Sequence, residues 1–151
     1  MRFVFKFQAL LNWKKNLEEL SQMRLAEKLK QLRAEEEEIQ RLITHRSAYG
    51  QELKEKSVQG LKVGEYLSYQ DYFEKSYEDL LCREERKMMT LREIEAEREK
   101  LLAFTKQRKI LEKLKENRLK KFSYQLERED RLRNDERVIS RHYSSPKVNL
   151  F

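Results

Sequence analysis

The sequence predicts an all-α protein, a long antiparallel two-helix coiled-coil hairpin forming a single domain over residues 1–151. Three observations carry that prediction. Charged residues make up 40% of the 151 residues, far above the roughly 25% of an ordinary globular chain. Apolar residues recur at spacings of three and four, which separates a coiled coil from a disordered chain of the same composition. The breakers are confined: the single proline is Pro146, and the three glycines, Gly50, Gly60 and Gly64, all lie between residues 50 and 64.

The first helix is expected over about residues 3–56. Leu10, Trp13, Leu17 and Leu20 start its apolar seam. After a skip near Gln22, Leu25, Leu29, Leu32, Ile39, Ile43 and Leu53 continue it, with Glu36, Arg46 and Gly50 at the remaining seam positions. Phe3, Phe7 and Leu10 share a helical face, and Phe5 points away from it. Ser57-Val-Gln-Gly-Leu-Lys-Val-Gly64 is the connection, because glycine is unfavourable in a helix interior. Ser57 and Ser144 are candidate helix ends. Glu65 suits a first turn, where its charge opposes the helix dipole.

The second helix is expected over about residues 65–142, with a flexible tail at 143–151. Its seam begins with Tyr66, Tyr69, Phe73, Tyr77 and Leu80. It continues through Met88, Leu91, Ile94, Leu101, Leu111 and Leu114, then Leu119, Phe122, Leu126 and Leu132, interrupted by Glu84, Arg98 and Arg118. Neither stripe is wide enough to be buried alone, so the chain folds back at the glycines. A parallel homodimer of straighter helices is the rival arrangement, and the central glycines oppose it. At 1.5 Å per residue the helices span roughly 80 and 115 Å, leaving the end of the second unpaired.

No chemistry is expected. His45 and His142 show no metal-ligand spacing, so no metal is assigned. Cys82 is a lone cysteine without a histidine nearby, and no internal disulfide is possible. The many carboxylates, including Glu35 to Glu38, have no pocket to tune them. Gly60 and Gly64 lack the Lys-Ser/Thr of a phosphate loop. No catalytic residue and no cofactor is assigned. The start is broken by Lys6, Gln8 and Asn12, which argues against a signal peptide, and no apolar run is long enough for a membrane span. The expectation is a cytoplasmic protein with no direct membrane insertion.

Two features point to partners. Residues 106–121 hold eight basic side chains against Glu112 and Glu116, a surplus of six positive charges. That surplus suits an acidic protein surface, acidic lipid or nucleic acid, or is simply a solvated helix face. Tyr66, Tyr69, Tyr72, Phe73 and Tyr77 form an aromatic cluster, read either as an interface or as packing beneath the connection. The Phe3, Phe5, Phe7 cluster is read as extra packing against Phe122 and Leu126. Nucleic-acid binding is the lesser reading, because Phe104, Phe122 and Tyr124 fall at seam positions and not on a stacking platform.

Three stretches together resemble the FliJ family of the flagellar type III export apparatus. They are the Phe3-Val-Phe-Lys-Phe start with its Leu10-Leu11 pair and Lys14, the segment Gly60 to Phe73, and Arg108-Lys-Ile-Leu-Glu-Lys-Leu-Lys115 followed by Arg128 to Glu136. Glu129-Asp-Arg-Leu stands where the family has Glu-Gln-Lys. The resemblance implies a non-enzymatic stalk that enters the hexameric export ATPase ring, promotes its assembly, contacts the export gate membrane protein and helps cycle export chaperones. It would associate peripherally with the inner membrane through those partners. On that reading the ring contact is assigned to Phe5, Arg108, Lys109, Lys113, Lys115 and Arg118. The gate contact is assigned to Tyr69, Tyr72, Phe73 and Tyr77. The corresponding stalk of a virulence secretion system and a basic nucleic-acid-binding coiled coil are the alternatives.

Overall fold

A computed structural model describes residues 1–144. The fold is all-α, as the sequence predicts: α1 runs Gln8–Gln59 and α2 runs Val63–Ser144. Long helices follow from a chain rich in Glu, Lys, Arg, Leu and Gln with no proline before residue 146. Residues 60–62 connect them. Gly60 has φ 99°, the left-handed conformation that ends helices and that glycine adopts without steric cost.

Helix α1 continues to Gln59, past the expected end at 56. The Ser57 hydroxyl donates to the Leu53 carbonyl at 2.7 Å, a bond made within helical geometry. Helix α2 begins two residues early, its first turn closed by the Tyr66 amide on the Lys62 carbonyl at 3.0 Å, with Glu65 in that turn. At its far end α2 takes in Tyr143 and Ser144. The remainder of the expected tail lies outside the described residues.

The chain divides into two compact units. Residues 17–104 form one, containing the connection. Here α1 and α2 are antiparallel: Ser21 meets Glu97, Glu35 meets Thr90, Arg46 meets Ser76 and Tyr49 meets Tyr69. The inward residues of α1 are Glu18, Ser21, Leu25, Lys28, Leu32, Glu35, Ile39, Leu42, Arg46, Tyr49 and Leu53. Those of α2 are Tyr69, Phe73, Ser76, Leu80, Arg83, Lys87, Thr90, Ile94, Glu97 and Leu101. Both sets keep an unbroken alternation of three and four, the heptad of a coiled coil. There is no skip near Gln22.

About half of that seam is polar, and this displaces the predicted one. Leu20, Ile43, Tyr66, Tyr77, Met88 and Leu91 are exposed. Ser21, Ser76 and Thr90, each less than a tenth exposed, take inward positions instead. Arg46 does occupy a seam position, as the spacing predicts. Glu35 takes the place expected of Glu36, Arg83 that of Glu84, and Glu97 that of Arg98. Successive helical residues are 100° apart, so tracing leucines through a polar seam shifts the phase by one residue wherever the true core residue is hydrophilic.

The polar seam is held by matched pairs. Ser21 Oγ donates to Glu97 at 2.9 Å and Thr90 Oγ1 to Glu35 at 3.0 Å. Lys28 Nζ meets Glu93, and that carboxylate holds the Lys28 ammonium above its ordinary pKa. Lys87 lies 3.8 Å from Glu36, and Arg83 lies 4.0 Å from Glu38. These last contacts are loose and partly exposed, so they set register more than they add stability.

The second unit comprises residues 1–16 with 105–151, described to residue 144. It too is antiparallel: Phe3 packs on Phe122 with centroids 5.6 Å apart, Phe7 lies against Arg118, and Lys15 reaches Glu112 at 3.7 Å. The first seven residues are not helical, which corrects the expected start at residue 3. Phe3, Phe5 and Phe7 are half-buried or buried, whereas Arg2, Val4 and Lys6 are exposed. Such a period of two is what an extended chain gives. It turns Phe5 inward to 6% exposure, where a helix would have turned it out. Leu11, 1% exposed, is the other buried anchor. Leu10 and Trp13 are exposed. From Asp130 to Ser144 every residue of α2 is exposed, as the unequal helix lengths anticipate.

Candidate interaction surfaces

In the unit formed by residues 17–104, the aromatic cluster is centred on a residue of α1. The Tyr49 ring lies 4.6 Å from Tyr69 and 4.4 Å from Tyr72, centroid to centroid, and 6.1 Å from Phe73. His45, one helical turn earlier, stacks on Tyr49 at 5.9 Å and shares a hydrogen bond through Nδ1 with the Tyr72 hydroxyl. Arg46 holds Phe73 and Tyr77 from the side, its guanidinium 5.6 and 5.8 Å from their ring centroids. Lys56 lies over the Tyr69 ring at 5.6 Å. The Tyr69 hydroxyl, then Glu52, hold that ammonium above its ordinary value.

Four tyrosine and phenylalanine residues were singled out from the sequence, and they divide by environment. Tyr69 is buried, Tyr72 and Phe73 are half-buried, and Tyr77 is exposed. The cluster is therefore packing at its base and surface at its rim. His45 and Tyr49 were missed. The signal for Tyr49 is its place three residues after Arg46 and four before Leu53, on the heptad stripe, one residue from the seam position expected at Gly50. The Gly50 position lies against Phe73, where an added Cβ would come 3.8 Å from the ring edge, an ordinary contact.

Charge is distributed unequally between the units. Residues 1–16 carry four basic side chains and no acidic one; residues 105–144 carry thirteen against seven, a combined surplus of ten. Residues 17–104 carry sixteen basic against twenty acidic, a deficit of four. In the basic stretch the two acids are occupied: Glu112 by Arg108 at 2.8 Å and Lys15, Glu116 by Lys120 at 2.6 Å and Lys113 at 3.2 Å. Lys120 and Lys113 hold the Glu116 carboxyl below its ordinary value, so it stays ionised at neutral pH.

The basic residues assigned from the sequence do not share one face. Lys109 and Lys113 are exposed. Arg108 and Lys115 are half-buried on the inward side of α2, and the Arg118 guanidinium lies 5.2 Å from the Phe7 centroid. Phe5 is buried, with its ring 6.0 Å from that of Phe7, and is not a surface side chain. Among the described residues no group of three or more His, Cys, Asp or Glu side chains is placed to hold a metal ion. Cys82 is exposed. Among them, too, no helix is long and apolar enough to cross a membrane.

What remains is a coiled-coil protein defined by its surfaces, aromatic in one unit and basic in the other. The family model described as flagellar FliJ protein matches residues 3–147, nearly the whole chain, and spans all three stretches on which the resemblance rested. The chain belongs to that family, whose members are components of the flagellar protein export apparatus. No curated protein and no solved structure matches it.

Proposed function

We propose that this chain is the accessory stalk of the flagellar export ATPase, a non-enzymatic protein that enters the ATPase ring, promotes its assembly and also engages the export gate and export chaperones. One observation supports the reading: within a family of export components, the basic surplus is confined to the unit that contains the exposed end of α2. A ring lined by scattered acidic groups can hold such a surface through many weak contacts without locking it, because each exposed ion pair contributes at most about 1 kcal/mol. The flagellar reading is preferred to a virulence-system stalk because the matching family model is the flagellar one.

Lys109, Lys113 and Arg118 are the ring-facing candidates that can be altered without emptying the core. Reversing all three to Glu should abolish stimulation of the cognate ATPase while circular dichroism stays helical. Undiminished stimulation would reject the assignment. For the gate, exposed Tyr77 and half-buried Tyr72 form the rim of the aromatic cluster, with buried Tyr69 and half-buried Phe73 beside them. Alanine at Tyr72 and Tyr77 together should weaken capture of the gate protein's cytoplasmic part about tenfold or more. Unchanged capture would leave the cluster as packing alone.

A further inference from the structure

The outward face of α2 between residues 106 and 124 has a composition of which the stalk reading uses only Lys113. At 100° per residue, Lys106, Ile110, Lys113, Lys120, Lys121 and Tyr124 fall within about 120° of one another. They lie opposite the inward positions Arg108, Leu111, Lys115 and Phe122. All six are exposed, and the two apolar ones strongly so: Ile110 and Tyr124 are each 68% exposed. Nothing in the packing of this unit explains an isoleucine and a tyrosine held that far out. Glu116 sits at the edge of the face and is neutralised by Lys113 and Lys120.

From this arrangement we infer that the basic unit docks peripherally on anionic lipid headgroups, with α2 lying along the bilayer surface. The chemistry favours lipid over other polyanions. The charges on the face are lysines, compact cations on long stems that reach headgroup phosphates while the stems lie along apolar surface. Base and phosphate recognition in nucleic acid would favour the planar forks of arginine and a row of exposed rings. The face offers one ring and one aliphatic side chain, spaced fourteen residues apart along the same line. Ile110 and Tyr124 enter the headgroup boundary, and the lysines around them supply the attraction. This is surface contact without insertion, and it does not depend on the stalk reading.

The test uses the full chain alone, without the ATPase, in sedimentation with vesicles. One set is pure phosphatidylcholine; the other contains about 30% phosphatidylglycerol, enough to give a bacterial-like negative surface. The chain should bind the anionic vesicles, not the neutral ones, and release as salt rises. Lys106→Gln, Lys120→Gln and Lys121→Gln together should weaken binding about 100-fold, roughly fivefold for each lysine. None of these three is among the proposed ring contacts, and all are exposed, so helicity should be unchanged. Ile110→Ser with Tyr124→Ser should weaken binding while leaving the salt dependence in place. No binding to anionic vesicles at about 0.1 M salt overturns the proposal. So does anionic binding that the Ile110 and Tyr124 changes leave untouched, which marks a bare polycation. Binding to single-stranded DNA in preference to the vesicles overturns it in favour of nucleic acid.

Discussion

Arg46 of α1 donates one guanidinium nitrogen to the Ser76 hydroxyl of α2 at 2.7 Å and to the Phe73 carbonyl at 3.0 Å. The contact joins the helices at a seam position where a coiled coil ordinarily places Leu or Ile, and it does so against the aromatic cluster itself. The same guanidinium also lies against the Phe73 and Tyr77 rings. Arg46→Ala removes charge-assisted hydrogen bonds and ring contacts at once, and should destabilise the protein by about 1–3 kcal/mol in urea unfolding. It should also loosen Tyr77. A change below about 0.5 kcal/mol would mean the arginine only decorates a packed aromatic core.

Glu35 presents the opposite case. Its Oε1 accepts from Thr90, but its Oε2 is buried with no hydrogen-bond partner within the protein. A buried acceptor left unmatched costs about 1–3 kcal/mol. Replacing both partners by apolar groups of similar shape, Glu35→Leu with Thr90→Val, should therefore raise stability by about 1–2 kcal/mol with an unchanged denaturant slope. Glu35→Leu alone should gain less, since the Thr90 hydroxyl, at 3% exposure, loses its acceptor. A double variant less stable than the native chain would show that the polar pair is worth more than its burial costs.

These two positions mark how far the sequence could be read. Helix content, the turn at the glycines and the antiparallel arrangement follow from pattern and breakers, since Gly60 and Pro146 leave few alternatives. The phase of the seam does not. Ser21, Glu35, Ser76, Arg83 and Glu97 are hydrophilic residues at core positions, and a search for leucines passes over them to Leu20, Tyr77 and Leu91, which are exposed. Phe5 departs from its expected place for a related reason: the alternation of Phe3, Phe5 and Phe7 is a period of two, not the helical period of the segment that follows. The basic stretch was legible as a surplus. Its division into an inward side with Arg108 and Lys115 and an outward side with Lys109 and Lys113 needed the true seam.

Two glycines near the turn should respond in opposite directions. Gly60 has φ 99°, where any side chain is strained, although nothing lies within 4 Å of the added Cβ. Gly60→Ala should destabilise by about 1 kcal/mol or more through backbone strain alone. Gly64 lies inside α2 with open space around its missing Cβ and no positive φ. Gly64→Ala should stabilise by about 0.4–1 kcal/mol, by limiting the unfolded chain and favouring helix. Thermal melts of the two variants provide the comparison. Equal shifts of the same sign would show that the turn conformation is not fixed by Gly60.

Glu116 offers a readout of the basic surface that needs no partner. Its carboxyl is held below its ordinary value of 4.5 by the hydrogen bonds of Lys120 and Lys113. Because the folded pKa is depressed, the ionised carboxylate favours the folded state above the unfolded value, and that contribution fades as the pH falls through the lower, folded value. Carboxyl NMR should place the Glu116 midpoint below 4.5, and Lys113→Gln with Lys120→Gln should return it towards that figure. The site is fully exposed, so added salt should move the native midpoint in the same upward direction by screening both lysines. A midpoint indifferent both to salt and to the loss of the two lysines would mean that neither ammonium stays beside Glu116 in solution, leaving both free for an anionic partner.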